Sequence, residues 1–192
     1  LSQNISIMEV GAYSQVFSTF LGFLNIKTLI ITDLDCANRD KHYQKCQFSG
    51  STTTTNSSIK YFVKNDNPQE LVKLDANKKV FSYVDANWVS DQNGKLRIAY
   101  QLEENGYQAC SFEDAFLSIN LKYIVDNKNN FSSLKNREEI NITNTNYYEI
   151  AEKCISSKTS FALEILLYSS DDTNKWDIPM YIKEGLGWLV TL

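Results

Sequence analysis

Two aspartates, Asp33 and Asp35, stand at the end of a short apolar run that begins Lys27-Thr-Leu-Ile-Ile-Thr. Carboxylates this close repel each other unless one is protonated or a cation lies between them. A hard cation such as Mg²⁺ takes carboxylate oxygens together with water and substrate phosphate. In open parallel sheets, ligands bind beyond the carboxyl ends of the strands. The pair therefore points to a divalent-metal site. Because side chains alternate along a strand, a bend after Asp33 is needed to bring both acids onto one ion. The competing use is structural, with both acids capping the segment that follows.

Three further charges are candidates. Glu113 opens a helix just after a strand, so it could face the same crevice or only complement the helix dipole. Asp114 stands three residues after Ser111, the spacing of a capping box, and is a weaker candidate ligand. Lys158 begins another helix, where a cation is unfavourable against the dipole. Near a metal-bound phosphate it could steady developing charge, and its other use is plain solvent exposure. Glu9 is the only charged residue before Asn25 and is expected at a solvent-facing edge.

The elements that must position these groups alternate. Asn4 to Val10 predicts a strand. Val16, Phe17, Phe20, Leu21 and Leu24 recur at helical spacing over Tyr13 to Asn25. Lys27 to Asp33 predicts a second strand, continuous and β-branched as in a sheet covered on both faces. The three make one right-handed βαβ unit. Cys36 to Ser58 is a loop-rich excursion with a Ser/Thr tract, and Ser58 is expected to cap a short helix to Lys64. Another short helix is expected over Gln69 to Leu74. Val80 to Val84 and Leu96 to Tyr100 predict strands, with an Asn93-Gly94 turn before the latter. Ser111 should start a helix to about Asn120. Val125 to Asn146 is a second excursion. Helices are predicted over Tyr147 to Ile155, Lys158 to Tyr168 and from Pro179 to Leu189. The fold class expected is α/β, with a central, mostly parallel sheet flanked by helices.

Composition narrows the chemistry. The 192 residues are 43% apolar and 12% aromatic, enough for one α/β domain. The formal charge is −4, but the span 37–64 holds five Lys or Arg against one Asp, a local +4. Such a loop beside a pair of acids could guide a phosphate backbone, or be a solvated surface. Cysteines stand at 36, 46, 110 and 154, none in a Cys-x-x-Cys pair, and His42 is the one histidine. A zinc site is not indicated. Scattered free thiols fit a reducing cytoplasm. A Ser-His-Asp machine would rest wholly on His42. No phosphate-binding Gly-x-x-x-x-Gly-Lys motif occurs, so any ATP site lies outside this chain. No apolar run is long enough to span a bilayer. The first residue is Leu, and the chain is expected to be part of something longer.

The run Ile5-Ser-Ile-Met-Glu-Val-Gly11, a helix, and then Leu29-Ile-Ile-Thr-Asp-Leu-Asp35 resembles the TOPRIM domain of OLD-family (overcoming lysogenization defect) nucleases. These ATP-dependent endonucleases include the nuclease subunit of the Gabija phage-defence system. Further matches follow in order: Thr55-Asn56-Ser57, Tyr107 to Phe116, Lys158-Thr-Ser-Phe-Ala162, and Ile178 to Leu189. The resemblance implies a TOPRIM-type, Rossmann-like fold over residues 1–192. It implies DNA cleavage with two Mg²⁺ or Mn²⁺ ions. Asp33, Asp35 and Glu113 would be metal ligands, with Asp114 a weaker one, and Lys158 the catalytic lysine. It also implies an ATPase domain upstream, a homodimer and, in the Gabija case, a helicase-like partner. The family's upstream Glu-Gly-x-x-Glu motif has no counterpart here, so the chain would be the C-terminal part of the nuclease domain and poorly active alone.

Two other uses of the same residues stay open. A haloacid dehalogenase-like phosphatase would use Asp33 as nucleophile and Asp35 as acid, with Asp171-Asp172 as a later acid pair. A non-catalytic binding or assembly module would use the aromatic helices near 13–25 and 178–191 to meet a partner.

Overall fold

The computed structural model describes residues 5–168 and 176–191. From residue 5 an irregular segment and a 3-10 turn, Gly11–Phe17, lead into helix α1, Ser18–Leu24. Strand β1, Thr28–Ile31, follows. A small antiparallel sheet comes next, made of β2, Cys36–Asn38, β3, Gln44–Lys45, and β4, Thr53–Thr54, in the order β3-β2-β4. Helices α2, Ser57–Val63, and α3, Pro68–Leu71, lead to the hairpin β5, Val80–Val84, and β6, Asn87–Ser90. Strand β7, Leu96–Ala99, precedes a short hairpin, β8, Glu103–Glu104, and β9, Tyr107–Gln108. Four helices complete the chain: α4, Phe112–Asn127, α5, Tyr147–Cys154, α6, Lys158–Leu167, and α7, Met180–Val190.

The larger sheet has the order β1-β7-β5-β6. β1 runs parallel to β7, pairing Thr28 with Leu96 through Ile31 with Ala99. β5 runs antiparallel to both β7 and β6. The sheet is therefore mixed, not mostly parallel. β6 returns from β5 across the tight Asp85-Ala86 turn, where both residues take positive φ, and a two-residue connection of that kind yields antiparallel neighbours.

The expected first strand is absent from residues 5–10, which take no regular structure and pair with no strand, and Asn4 lies outside the described residues. A strand is stabilised by a neighbour's ladder and a buried face. Here Ile7 and Met8 are exposed. The parallel unit is accordingly β1 with β7 rather than a βαβ unit through α1.

Side-chain alternation sorts β1 and β7 onto two faces. Ile30, Leu96 and Ile98 pack with Ile59 and Phe62 of α2, Phe81 of β5 and Trp88 of β6. On the opposite face Leu29 and Ala99 meet Tyr181 of α7 and Ala115 of α4. Gly185 permits α7 to lie close there, since a Cβ would stand 3.1 Å from the Leu29 side chain. A second core joins α4, α5 and α6 around Phe116, Phe131 and Phe161. Cys36 and Cys110 form a disulfide, with Cys46 and Cys154 free. The expectation of four free thiols is corrected: the two chain positions, 74 residues apart, become neighbours only through the tertiary fold.

Candidate functional site at the carboxyl end of the parallel strands

β1 ends at Ile31, and its direction is carried further by hydrogen bonds to the end of β7 and the residues just after it. The Thr32 amide donates to the Ala99 carbonyl at 3.0 Å, and the Leu34 amide to Gln101 Oε1 at 2.6 Å. Asp33 thus leaves the sheet between two anchored residues. Asp35 takes a left-handed backbone conformation, φ 49°. This is the bend that the alternation of side chains requires, and aspartate is among the few residues that tolerate it. The Asp35 amide donates to the Cys110 carbonyl at 3.0 Å, which ties the bend to the segment entering α4.

Each aspartate is held by a fully buried carboxamide. Gln101 donates through Nε2 to Asp33 Oδ1 at 2.7 Å and lies near the Tyr181 hydroxyl at 3.2 Å. Asn56 Nδ2 is within hydrogen-bond distance of Thr32 Oγ1, the Asp33 carbonyl and Asp35 Oδ2, at 2.7, 2.9 and 3.2 Å. Its Oδ1 caps α2 by accepting from the Ile59 amide. The cap is therefore Asn56 rather than Ser58, whose hydroxyl instead donates toward the Ala12 carbonyl.

Glu113 and Asp114 open α4 and divide the work. Asp114 accepts from the amides of Cys110 and Ser111 and from the hydroxyls of Ser111 and Tyr107. With four donors on two oxygens, it serves the capping box. Glu113 is 6% exposed, yet its carboxylate is not spent on the cap. It meets Lys158 Nζ at 2.6 Å, 45 residues along the chain and at the start of α6.

The electrostatics bind these groups into one site. Burial first, then the charges of Glu113 and Asp35, push the Asp33 carboxyl up to about 7, against an opposing bond from Gln101 and the charge of Lys158. Burial also raises Asp35, opposed by its bond from Asn56. Burial would lower the Lys158 ammonium, but the hydrogen bond and charge of Glu113, with Asp33, outweigh it and leave it raised. Tyr181 is raised by burial and by the same acids.

The basic loop is partly neutralised. Arg39 pairs with Asp66, and Lys45 with Glu152 of α5, while Lys45 still acts on Asp35 through space. Glu9 is exposed, as expected, and stands apart from these contacts. Asp171 and Asp172 lie outside the described residues. No group of three His, Cys, Asp or Glu side chains among the described residues forms a ready-made metal cage. Oxygen donors in pairs still suit Mg²⁺, which is commonly held by one or two carboxylates, water and substrate phosphate rather than by an all-protein cage.

Gln101, Asn56 and Tyr181 do not stand out by type and spacing. Gln101 has one legible signal: it is a polar residue directly after an apolar strand, at the end of the sheet where Asp33 also emerges. Asn56 stands in the Thr55-Asn56-Ser57 match without a role, and Tyr181 has no signal of its own.

Fold and side chains define a mixed α/β domain with a cluster of acids at the carboxyl end of its parallel strand pair. The chain is similar to the endonuclease GajA of Bacillus cereus (strain HuB5-5), at 29% identity over 96% of its length. It spans 27% of that protein. No family model matches the chain, and no solved structure matches it. No helix among the described residues is long and apolar enough to cross a membrane.

Proposed function

We propose that this chain is the catalytic part of a metal-dependent endonuclease that hydrolyses DNA phosphodiesters, of TOPRIM type and OLD-family kind, acting in phage defence. The observation that carries this reading is the meeting of Asp33, Asp35, Glu113 and Lys158 at one end of the sheet. The similarity to an endonuclease over nearly the whole chain supports it.

Asp33 and Asp35 would hold Mg²⁺ or Mn²⁺, with Glu113 completing a two-ion set. When bound, such ions polarise the scissile phosphate and lower the pKa of a bound water. The chain's own residues do the rest. Gln101 and Asn56 fix the two aspartates from behind, so the oxygens facing the crevice arrive in place. Lys158, 55% exposed along its side chain, keeps its charge at the rim, where a phosphate arriving from solvent meets it. Glu113 orients that ammonium, and the same carboxylate would be shared with a bound cation. A cluster of acids with a half-exposed lysine beside it suits a charged backbone better than an apolar ligand.

The larger protein is proposed to carry an ATPase domain upstream with its own ATP site, to form a homodimer, to meet a helicase-like partner and to work in the cytoplasm, where its DNA lies. Cleavage of plasmid DNA by the longer protein tests the reading. Nicking or cutting is expected with Mg²⁺ or Mn²⁺, its loss in EDTA, and its loss in Asp35→Asn. Full activity of Asp35→Asn would overturn it. Turnover of a small phosphate ester, with covalent trapping at Asp33 and no DNA cleavage, would replace it with the phosphatase chemistry.

A further inference from the structure

A second cluster of charge lies away from the acidic crevice. β5 pairs with β7 only as far as Val80 opposite Arg97. Beyond that point the two diverge, and a cavity of about 230 Å³ opens against the edge of β7. Lys79, Arg97, Tyr100, Leu102, Tyr181 and Glu184 are among its walls.

Two cations face this space with too few acceptors. Lys79 is 4% exposed. Among the described residues its ammonium has no hydrogen bond or ion pair, and it rests 4.4 Å above the Tyr100 ring. Arg97 is 11% exposed along its side chain and reaches Glu184 only at 3.4 to 3.5 Å. Its Nε is buried without a partner. Burying a charge without partners is costly. Burial, then the neighbouring Arg97, accordingly lower Lys79 to about 8, with Glu184 opposing. Two cations against one half-exposed carboxylate leave the cavity positive.

We infer that this cavity is a binding site for a compact oxyanion of the phosphate class, gripped by Lys79 and Arg97. A phosphate would give both cations the acceptors they lack, with the Arg97 fork offering more than one donor. The apolar walls, Leu102 among them, lower the local dielectric and strengthen the attraction. The free ion and the phosphate of a nucleic acid share this chemistry. Tyr181 joins the cavity to the acidic crevice, because its ring lines the former and its hydroxyl meets the Gln101 that holds Asp33.

Titration of the chain with inorganic phosphate tests the site, at ionic strength matched with chloride and followed by calorimetry and by melting temperature. One-to-one, saturable binding is expected, with affinity reduced more than tenfold in Lys79→Met and largely retained in Lys79→Arg. Lys79→Met should fold, because an apolar side chain of similar length replaces a buried charge. Glu184→Gln should tighten binding severalfold. Displacement of phosphate by an oligonucleotide without terminal phosphates would assign the anion to nucleic acid, and no displacement would assign it to the free ion. Both results uphold the site. Absence of saturation in the parent chain, or equal affinity in Lys79→Met, would overturn it.

Discussion

Lys158 Nζ and Glu113 Oε2 lie 2.6 Å apart, joining the first residue of α6 to the first turn of α4. The lysine side is half-exposed and the glutamate side 7% exposed. The pair therefore leaves one partner accessible to a substrate while the other is fixed.

Removing the ammonium separates catalysis from folding. Lys158→Met in the longer protein should lower the DNA cleavage rate by about 10²–10³-fold, the usual cost of losing one preorganised charge-stabilising donor. It should also destabilise the chain modestly by leaving Glu113 unpaired. Lys158→Met with Glu113→Gln should recover stability but not cleavage. Single-turnover rates and thermal melts of the parent protein and the two variants check this. Cleavage by Lys158→Met at the parent rate would give Lys158 a purely structural role.

The raised aspartates set a pH dependence for the metal-free chain. Asp33 titrates at about 7 when folded, against an ordinary value of 3.8. Between those limits the folded chain keeps a proton that the unfolded chain has lost. Stability in EDTA therefore falls as pH rises from about 4 to 7, then levels off. Asp35 and Asp114, also raised, act with the same sign. Lys79, lowered to about 8, acts oppositely: stability returns as pH rises from about 8 toward 10.5. Asp33→Asn should flatten the acid-side slope. It should also stabilise the metal-free protein at pH 8 by a few kcal/mol, because each tenfold change in proton affinity is worth about 1.4 kcal/mol. Denaturant melts across pH decide it, and an unchanged slope in the variant would count against the protonated state of Asp33.

The two buried carboxamides can be told apart from mere packing. Asn56→Ser should keep the α2 cap, since serine caps as well as asparagine, whereas Asn56→Ala should lose about 1 kcal/mol. Both remove the bond to Asp35, so both should weaken Mn²⁺ binding alike. Gln101→Leu should leave the Leu34 amide unsatisfied, costing about 1–3 kcal/mol. Because the Gln101 bond holds Asp33 down, the variant should also shift the pH midpoint of Mn²⁺ binding upward. Calorimetry at several pH values measures both effects.

The Cys36–Cys110 bond closes a long loop and joins the residue after Asp35 to the segment before Glu113. By chain entropy such a loop is worth up to about 4 kcal/mol, or roughly 10 °C in melting temperature for a chain of this size. Dithiothreitol should lower the melting temperature of the parent chain toward that of Cys36→Ser and leave the variant unaffected. Mn²⁺ affinity should fall in parallel, as the two acid-bearing segments loosen. Identical melts with and without reductant would remove the bond from the account of stability.

Local signals are legible where one residue type has one physical use. The capping box at Ser111 and Asp114, the Asn93-Gly94 turn, and the apolar strands at Val80 and Leu96 stand close to where patterning puts them. The need for a bend after Asp33 is legible too, and the left-handed Asp35 meets it. What depends on pairing is not. Residues 5–10 carry a strand pattern without a partner, β5 joins the sheet in the opposite direction to β1 and β7, and Cys36 finds Cys110 across 74 residues. For the site, the acids announce themselves by spacing, whereas Gln101 and Asn56 act only once the fold has buried them against Asp33 and Asp35.

Mn²⁺ titration of the metal-free chain by calorimetry at pH 8, repeated on Asp33→Asn with Asp35→Asn, tests the acidic crevice most directly. The parent chain should bind with measurable heat, and the double variant should show none of it while melting no lower. Equal heats from both proteins would contradict the site and, with it, the metal-dependent cleavage of DNA.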